Sequence, residues 1–243
     1  MGSTRIQLCG RVTAEIDGRR IEQELPGRQG RLLFVYLVAN RLRPVTRDAL
    51  ADALWPAAPP GNVDAALSAL LSKLRRLVEI EGRGELRLVL PTDAWIDLEA
   101  ASEGLHRAES AAARGAWAEA WGPARVAQHI SARGFLPGEE APWVETLRGR
   151  LDATYVRALE LVASACLAIG GSELDTADRA ARSLVEAAPF RETGYRALME
   201  VLAARDNAAE ALQVYERLRC TLRDELGASP SPATQELHRR LLG

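Results

Sequence analysis

The sequence predicts a mainly helical protein in which a small sheet-and-helix domain precedes an all-helical domain. Three residue types that favour helices, Ala (42), Leu (35) and Arg (30), fill much of the 243-residue chain. Strand-like alternation of apolar and polar residues is confined to the first 25 residues and to a stretch near residue 90. In the second half, a pattern of small and large residues recurs after 34 residues, which is the period of a tetratricopeptide repeat.

Length and hydropathy limit the class of protein. The chain is long enough for two domains of about 100 to 150 residues, each with its own core. No apolar run approaches the roughly 18 to 20 residues that cross a bilayer, and no signal-peptide core precedes Arg5. We therefore expect a cytoplasmic protein with no membrane partner.

The scarcity of lysine, cysteine and histidine argues against an enzyme. Lys73 is the only lysine and follows no glycine-rich loop, so the chain lacks a phosphate cradle. The cysteines (Cys9, Cys166 and Cys220) form no C-x-x-C motif, and only three histidines are available to join them as metal ligands. We expect no catalytic residue, no cofactor and no metal, with the thiols packed as small hydrophobes.

The two halves of the chain differ in net charge. Residues 1–98 carry a net charge of +2 and residues 99–243 a net charge of −4. Because an ordinary solvated surface carries as much, +2 alone is a weak indication of nucleic-acid binding. Whether residues 1–98 are suited to nucleic-acid binding therefore depends on where their cations lie.

The first domain is predicted to begin with a small antiparallel sheet. Apolar and polar residues alternate from Ile6 to Leu25, and Asp17-Gly18 is typical of a two-residue hairpin turn. From Arg28 the apolar spacing becomes that of a helix, which ends near Asn40.

Two further helices and a hairpin are expected to follow. Thr46 is the predicted N-cap of a helix that ends at Trp55, and Asn62 that of a third helix running to about Ile80. Residues 86–98 are predicted to be extended around a turn at Pro91-Thr92-Asp93. A sheet, three helices and a hairpin are the elements of a winged helix, a helix-turn-helix with a β-wing.

The third helix has an apolar face and an exposed face. The exposed face carries small residues followed by cations: Ala65, Ser68, Ala69, Ser72, Lys73, Arg75 and Arg76. Small residues would let the helix enter a major groove closely, where Lys73 and Arg76 would reach base edges or phosphates. From the helix alone, an ordinary solvated face, with its cations offset by Asp64 and Glu79, is an equal alternative.

Several motifs carry a family resemblance. Residues 46–56 (TRDALADALWP) and 66–76 (ALSALLSKLRR) resemble the OmpR-type winged helix. Four downstream motifs resemble the bacterial transcriptional activator domain of the Streptomyces antibiotic regulatory protein (SARP) family: GFLPGEEAPWVE (134–145), YRALM (195–199), ALQVYERLR (211–219) and ELGASPSPAT (225–234). The resemblance covers nearly the whole chain and implies a DNA-binding transcriptional activator.

The resemblance also implies which residues contact DNA. Ser68, Ala69, Ser72 and Lys73 match positions that face the groove, and Arg75, Arg76 and Trp55 match positions that meet the backbone or hold the turn. A wing from Arg87 to Thr92 is implied to touch the minor groove, and Arg47 is a further candidate contact.

This chain departs from the family pattern at three places. Ala69 stands where relatives often have a larger or polar residue, and Lys73 replaces the usual Arg. Because Lys cannot make the bidentate fork onto guanine, softer base specificity is expected. The predicted wing also lacks a well-placed cation near Pro91–Ala94.

The second half contains an internal repeat. Ala177, Ala181, Leu184 and Pro189 have tetratricopeptide spacing, and the first three recur as Ala211, Tyr215 and Leu218; Ala120, Ala124 and Ala127 are a weaker copy. We predict a tetratricopeptide-like superhelix of seven or eight helices from about Glu99 to Leu242. Its concave surface is expected to bind a partner.

The predicted organisation is therefore a winged-helix DNA-binding domain (residues 1–98) followed by a tetratricopeptide-like bacterial transcriptional activator domain (residues 99–243). The family resemblance implies an activator that acts at promoter direct repeats and contacts double-stranded DNA and RNA polymerase, either as a homodimer or as side-by-side protomers. The alternative is a helical-repeat interaction module whose winged helix has lost strong DNA affinity. The net charge of −2 favours that alternative, and the cations of the third helix oppose it.

Overall fold

The structure is a computed structural model that describes residues 3–243. It is mainly helical with two small sheets. The strands are β1 (Arg5–Gln7), β2 (Thr13–Ile16), β3 (Arg19–Arg20), β4 (Val45–Thr46), β5 (Ile80–Glu81), β6 (Glu85–Leu88) and β7 (Trp95–Ile96). The helices are α1 (Gly27–Ala39), α2 (Arg47–Leu54), α3 (Val63–Leu74), α4 (Asp97–Ala113), α5 (Trp117–Ser131), α6 (Pro142–Ile169), α7 (Leu174–Ala187), α8 (Glu192–Ala204), α9 (Ala208–Leu226) and α10 (Pro232–Leu242). Within the described residues, no helix is both long and apolar enough to cross a membrane.

The chain forms two compact units that are not contiguous in sequence. The first unit contains the chain up to Ala100 together with Arg133–Leu151, which we call the return segment; the second contains Ala101–Ala132 and Asp152–Gly243. The predicted boundary between residues 98 and 99 lies close to the first passage of the chain between the units. Whether it separates independently folding domains stays a prediction.

The first sheet has the strand order β3-β2-β1-β7. Strands β1, β2 and β3 pair antiparallel, as the sequence predicts, but β3 ends at Arg20, before the predicted strand residues Ile21 and Leu25. Strand β7 joins β1 in parallel. The predicted turn between β2 and β3 is confirmed: Asp17 (φ 51°) and Gly18 (φ 81°) both have positive φ, the backbone geometry of a type I′ turn.

The second sheet has the order β4-β6-β5. It contains a hairpin whose predicted position was wrong. The turn lies at 82–84, between β5 and β6, and not at 91–93, which belongs to the connection from β6 to β7. Gly82 has φ 87°, and a Cβ there would lie 1.8 Å from the Glu85 carbonyl oxygen, so only glycine fits this turn. Leu86 and Leu88 are buried and fix the register of the hairpin.

Helix α3 ends at Leu74, six residues before the predicted end near Ile80. Arg75 is the C-cap, and Arg76 lies in the following turn, so neither is on the exposed face of the helix. The apolar periodicity continues past residue 74 because Val78 and Ile80 are buried, but Ile80 pairs with Leu88 as a strand residue.

The return segment supplies core residues to the first unit. Phe135 and Val144 are completely buried, and Phe135 forms an isolated antiparallel bridge with Cys9. Trp143 packs edge-on against Tyr36 at 5.0 Å between ring centroids, and its Nε1 donates a hydrogen bond to the Ala53 carbonyl oxygen at 3.1 Å. The core of the first unit therefore depends on residues that follow α5 in sequence.

Asp97 connects β1 to the start of α4. Its carboxylate is completely buried and accepts hydrogen bonds from the backbone N–H groups of Leu8 and Cys9, each at 2.9 Å. Burial raises the pKa of Asp97, and the two backbone donors and the nearby Arg133 guanidinium offset only part of this effect.

The second unit is helical within the described residues, and its chain runs through α4–α10. The alanines of the predicted repeat are completely buried: Ala120, Ala124, Ala127, Ala177, Ala181 and Ala211. Leu184 and Leu218 are equally buried, and Tyr215 is 8% exposed. The repeat pattern thus marks the residues along which these helices pack.

Candidate nucleic-acid interface

The candidate interface is built on α2 and α3, whose starts are capped as the sequence predicts. The Thr46 hydroxyl oxygen accepts a hydrogen bond from Ala49 N at 3.2 Å, and Asn62 Oδ1 accepts one from Ala65 N at 2.9 Å. Trp55 is the half-buried C-cap of α2, so it ends the helix at the expected residue. Its contact with a DNA backbone stays a prediction.

Helix α3 presents an exposed surface made mostly of small side chains. Leu67, Leu71 and Leu74 face the core and are at most 1% exposed. On the opposite side, the four residues expected to face a groove are all exposed: Ser68, Ala69, Ser72 and Lys73. Since Lys73 is the only long side chain among these four residues, a binding partner can approach the backbone of this helix closely.

Arg47 lies across the start of α3. Its Nη2 donates a hydrogen bond to Ser68 Oγ at 2.9 Å and lies 3.5 Å from Asp64 Oδ1. The guanidinium thus fixes α2 against α3, and Asp64 partly neutralises its charge. Because Ser68 Oγ accepts from Arg47, the Ser68 hydroxyl hydrogen is free to point to an acceptor.

Arg75 ties the end of α3 to the β5–β6 hairpin. Its Nη2 donates to the Gly82 carbonyl oxygen at 2.7 Å and its Nε to the Ile80 carbonyl oxygen at 3.4 Å. Its guanidinium is therefore engaged within the protein, and its contact with a DNA backbone stays a prediction. Arg76 is exposed.

The hairpin carries two exposed arginines. Arg87 Nη2 pairs with Glu81 Oε2 at 2.9 Å across the two strands, whereas Arg83 lies at the turn. Thr92 lies in the connection that follows β6, outside the hairpin. Sequence reasoning missed Arg83, although its position between Gly82 and Gly84 is typical of a turn.

Three cations of this surface lack, within the part of the chain that the structure describes, the ion-pair and hydrogen-bond partners that most cations of the second unit have. Among the described residues, the side chains of Lys73, Arg76 and Arg83 have no partner in an ion pair or hydrogen bond. In the second unit, three arginines each reach two carboxylates: Arg157, Arg182 and Arg205. Positive charge is thus left available around the end of α3 and at the hairpin turn.

Comparison with protein families and relatives agrees with this architecture. The model of the bacterial transcriptional activator domain matches residues 96–242. The regulatory protein AfsR of Streptomyces coelicolor is 31% identical over 99% of this chain, which spans 24% of AfsR. The transcriptional regulatory protein EmbR of Mycobacterium tuberculosis is 30% identical over 97% of this chain, which spans 62% of EmbR. The chain thus spans less than two thirds of the length of these relatives.

A solved structure has the same fold. It is that of Mycobacterium tuberculosis EmbR in complex with a low-affinity phosphopeptide, and it superposes on this chain with a TM-score of 0.85 at 25% identity. The superposition covers 100% of this chain and 65% of that one. Because the family model covers more than half of the chain, this protein belongs to the bacterial transcriptional activator domain family.

Proposed function

We propose that this protein is a transcriptional activator that binds double-stranded DNA sequence-specifically through its first unit. In this proposal the first unit acts as an OmpR-type winged helix. Helix α3 enters the major groove, and the β5–β6 hairpin is the wing that meets the adjacent minor groove.

One observation carries the proposal: Lys73, Arg76 and Arg83 are cations without a partner within the described chain, on and beside an exposed helix with small side chains. An unpaired cation gains most from a phosphate, because binding releases the counterions condensed on DNA without breaking an ion pair in the protein. The small residues Ser68, Ala69 and Ser72 allow the approach that base contacts need.

The residues divide into two roles. Lys73 and the hydroxyls of Ser68 and Ser72 reach base edges, and Ala69 offers its methyl group to thymine. Arg76 and Arg83 contact phosphates and position the protein without reading sequence. Arg47, Arg75 and Trp55 act mainly by holding α2, α3 and the hairpin in place.

A salt titration tests the proposal. We expect wild-type protein to bind a mixed-sequence duplex with an affinity that falls steeply as salt rises. Arg76→Ala should lower the slope of log affinity against log salt by about one unit for all sequences. Lys73→Ala should also relax the preference at one base position, by about 1 to 3 kcal/mol, in sites selected from random DNA.

Arg217→Ala is the matched control. Arg217 is exposed on α9 in the second unit and also has no side-chain partner among the described residues. It should leave the slope unchanged. If all three variants and the wild type have the same affinity at low salt, the DNA-binding function is wrong and an interaction module is the better description.

We further propose that two protomers bind direct repeats beside a promoter and that activation involves contact with RNA polymerase. The regulators to which the chain is similar support a role in transcription. Double-stranded DNA, polymerase and a neighbouring protomer are therefore the proposed partners.

A further inference from the structure

Arg19 lies beside the candidate interface, on a different element. It lines an open cleft of about 440 Å³ together with two of the unpaired cations of the interface. The cleft is formed by Arg19, Glu24, Pro26, Lys73, Arg76 and Leu77. The N-terminal sheet and the end of α3 thus contribute cations to one site.

The β2–β3 hairpin fixes the position of Arg19. Arg19 pairs with Ile16 in the sheet, directly after the turn at Asp17-Gly18. The Gly18 backbone N–H donates to the Ser3 carbonyl oxygen at 3.2 Å, which ties the turn to the segment just before β1. Arg19 therefore projects from a hydrogen-bonded backbone and not from a free loop.

The cleft has an excess of positive charge. Its only acid is Glu24, whose Oε2 lies 2.5 Å from Arg19 Nη2, and both side chains of this pair are well exposed to solvent. Exposed ion pairs contribute little to stability, so Arg19 can exchange Glu24 for a stronger anion at small cost. Guanidinium groups are suited to phosphate oxygens, which they bind in a bidentate manner.

We propose that this cleft is a further phosphate site, in which Arg19 joins Lys73 and Arg76 in contacting the DNA backbone at the C-terminal end of α3. The ligand is a phosphodiester group, and the contact is independent of base sequence. The inference rests on the proposed DNA-binding function and extends the DNA contact from α3 and the hairpin wing to the N-terminal sheet.

The test is the salt dependence of binding to a mixed-sequence duplex by the full chain. Arg19→Gln should lower the slope of log affinity against log salt by about 0.9. Accordingly, the advantage of wild type over the variant should shrink about three- to fourfold between roughly 50 and 200 mM salt. Arg20→Gln is the matched control, because Arg20 follows Arg19 in the strand, points to the other face and pairs with Glu22 at 2.6 Å.

A double variant distinguishes a direct contact between Arg19 and phosphate from mere neutralisation of the Glu24 charge by Arg19. If Arg19 touches phosphate, the double variant Arg19→Gln/Glu24→Gln has the same lowered salt slope as Arg19→Gln. Glu24→Gln alone then binds DNA more tightly than wild type. If Arg19 serves only to neutralise Glu24, the double variant regains the wild-type slope, and the inference is wrong. Unchanged unfolding midpoints show that each variant is folded.

Three further outcomes would overturn the inference. Saturable binding of inorganic phosphate alone, measured by calorimetry and lost in Arg19→Gln, would assign the cleft to a free phosphate and not to DNA. An unchanged slope in Arg19→Gln, with slopes lowered in Lys73→Ala and Arg76→Ala, would remove Arg19 from the interface but keep the proposed function. Unchanged slopes in all three variants would exclude both the Arg19 contact and the proposed DNA-binding function.

Discussion

The buried carboxylate of Asp97 lies 3.7 Å from Nη2 of Arg133, so the residue that begins α4 meets the residue that begins the return segment. The same carboxylate holds the end of β1 through Leu8 and Cys9. Arg133 also donates to Gln7 Oε1 at 3.0 Å. One acidic side chain thus joins three separate parts of the first unit.

We expect Asp97→Asn to lower the free energy of unfolding by about 1 to 3 kcal/mol. Leu8 and Cys9 donate to different carboxylate oxygens, and the amide nitrogen that replaces one of them cannot accept. Urea unfolding of the full chain measures the change. Asp93→Asn, at an exposed position shortly before β7, should unfold like the wild type; equal loss in both variants would contradict a specific role for Asp97.

Trp143→Phe should destabilise the first unit by about 1 kcal/mol. The substitution keeps an aromatic ring beside Tyr36 but removes the N–H that bonds the Ala53 carbonyl oxygen near the end of α2. Thermal unfolding monitored by near-ultraviolet circular dichroism follows the loss. A variant as stable as wild type would show that the hydrogen bond contributes nothing beyond ring packing.

Arg75 and Arg83 should affect different properties. Arg83→Gln is expected to lower the salt slope of DNA binding by about one unit and to leave stability unchanged. Arg75→Gln is expected to keep the slope but to lower the unfolding free energy by about 1 kcal/mol, because its guanidinium is bonded to the Gly82 and Ile80 carbonyls. Paired salt titrations and unfolding curves test the distinction, and the opposite assignment of effects would reverse the two roles.

Glu192 should make the second unit sensitive to acid. Its carboxylate accepts hydrogen bonds from Ser231 N and Oγ and from Thr234 Oγ1, and thereby holds the start of α10. Burial alone would raise the pKa of Glu192, but these hydrogen bonds outweigh it and hold the pKa below its usual value. The stabilisation is therefore present above the unfolded-state pKa of about 4.3 and is lost as pH falls through the lower folded-state value.

The comparison with Glu192→Gln isolates this effect. Wild type should be more stable than the variant at about pH 6, and the difference should shrink on acidification towards about pH 3. Urea unfolding midpoints of both proteins across this range provide the measurement. A difference that is constant with pH would show that the glutamate acts by shape and not by charge.

Spacing of the DNA repeats tests the proposed assembly. Protomers on direct repeats separated by one helical turn, about 10 to 11 base pairs, lie on the same face of the duplex. Inserting about half a turn, roughly 5 base pairs, should reduce both cooperative binding and activation, and inserting a full turn should partly restore them. Gel-shift and transcription assays on the same templates provide the readout. Indifference to spacing would mean independent protomers, and preference for inverted repeats a two-fold symmetric dimer.

Features set by a few neighbouring residues were predictable from the sequence. Asp17-Gly18 predicted the first hairpin, and Thr46 and Asn62 predicted the starts of α2 and α3, because turn and cap chemistry is local. The alanines of the repeat predicted the buried side of α5, α7 and α9. Each of these depends on a short window of sequence.

Features set by distant partners were not predictable. Helical periodicity extends beyond Leu74, but pairing of Ile80 with Leu88 makes residue 80 part of a strand. Likewise, the common cleft of Arg19 and Lys73 arises only when separate elements pack. The sequence therefore indicated the candidate interface on α3 but not all of the cations that surround it.

The return segment also affects how the protein is synthesised. A ribosome that has passed Ala100 must translate the rest of α4 and all of α5 before it supplies Phe135 and Trp143 to the core. At about 5 to 20 residues per second, the roughly 50 residues up to Leu151 take about 3 to 10 seconds. During this interval the nascent first unit exposes apolar surface that a chaperone can bind, and its core closes only after part of the second unit has been made.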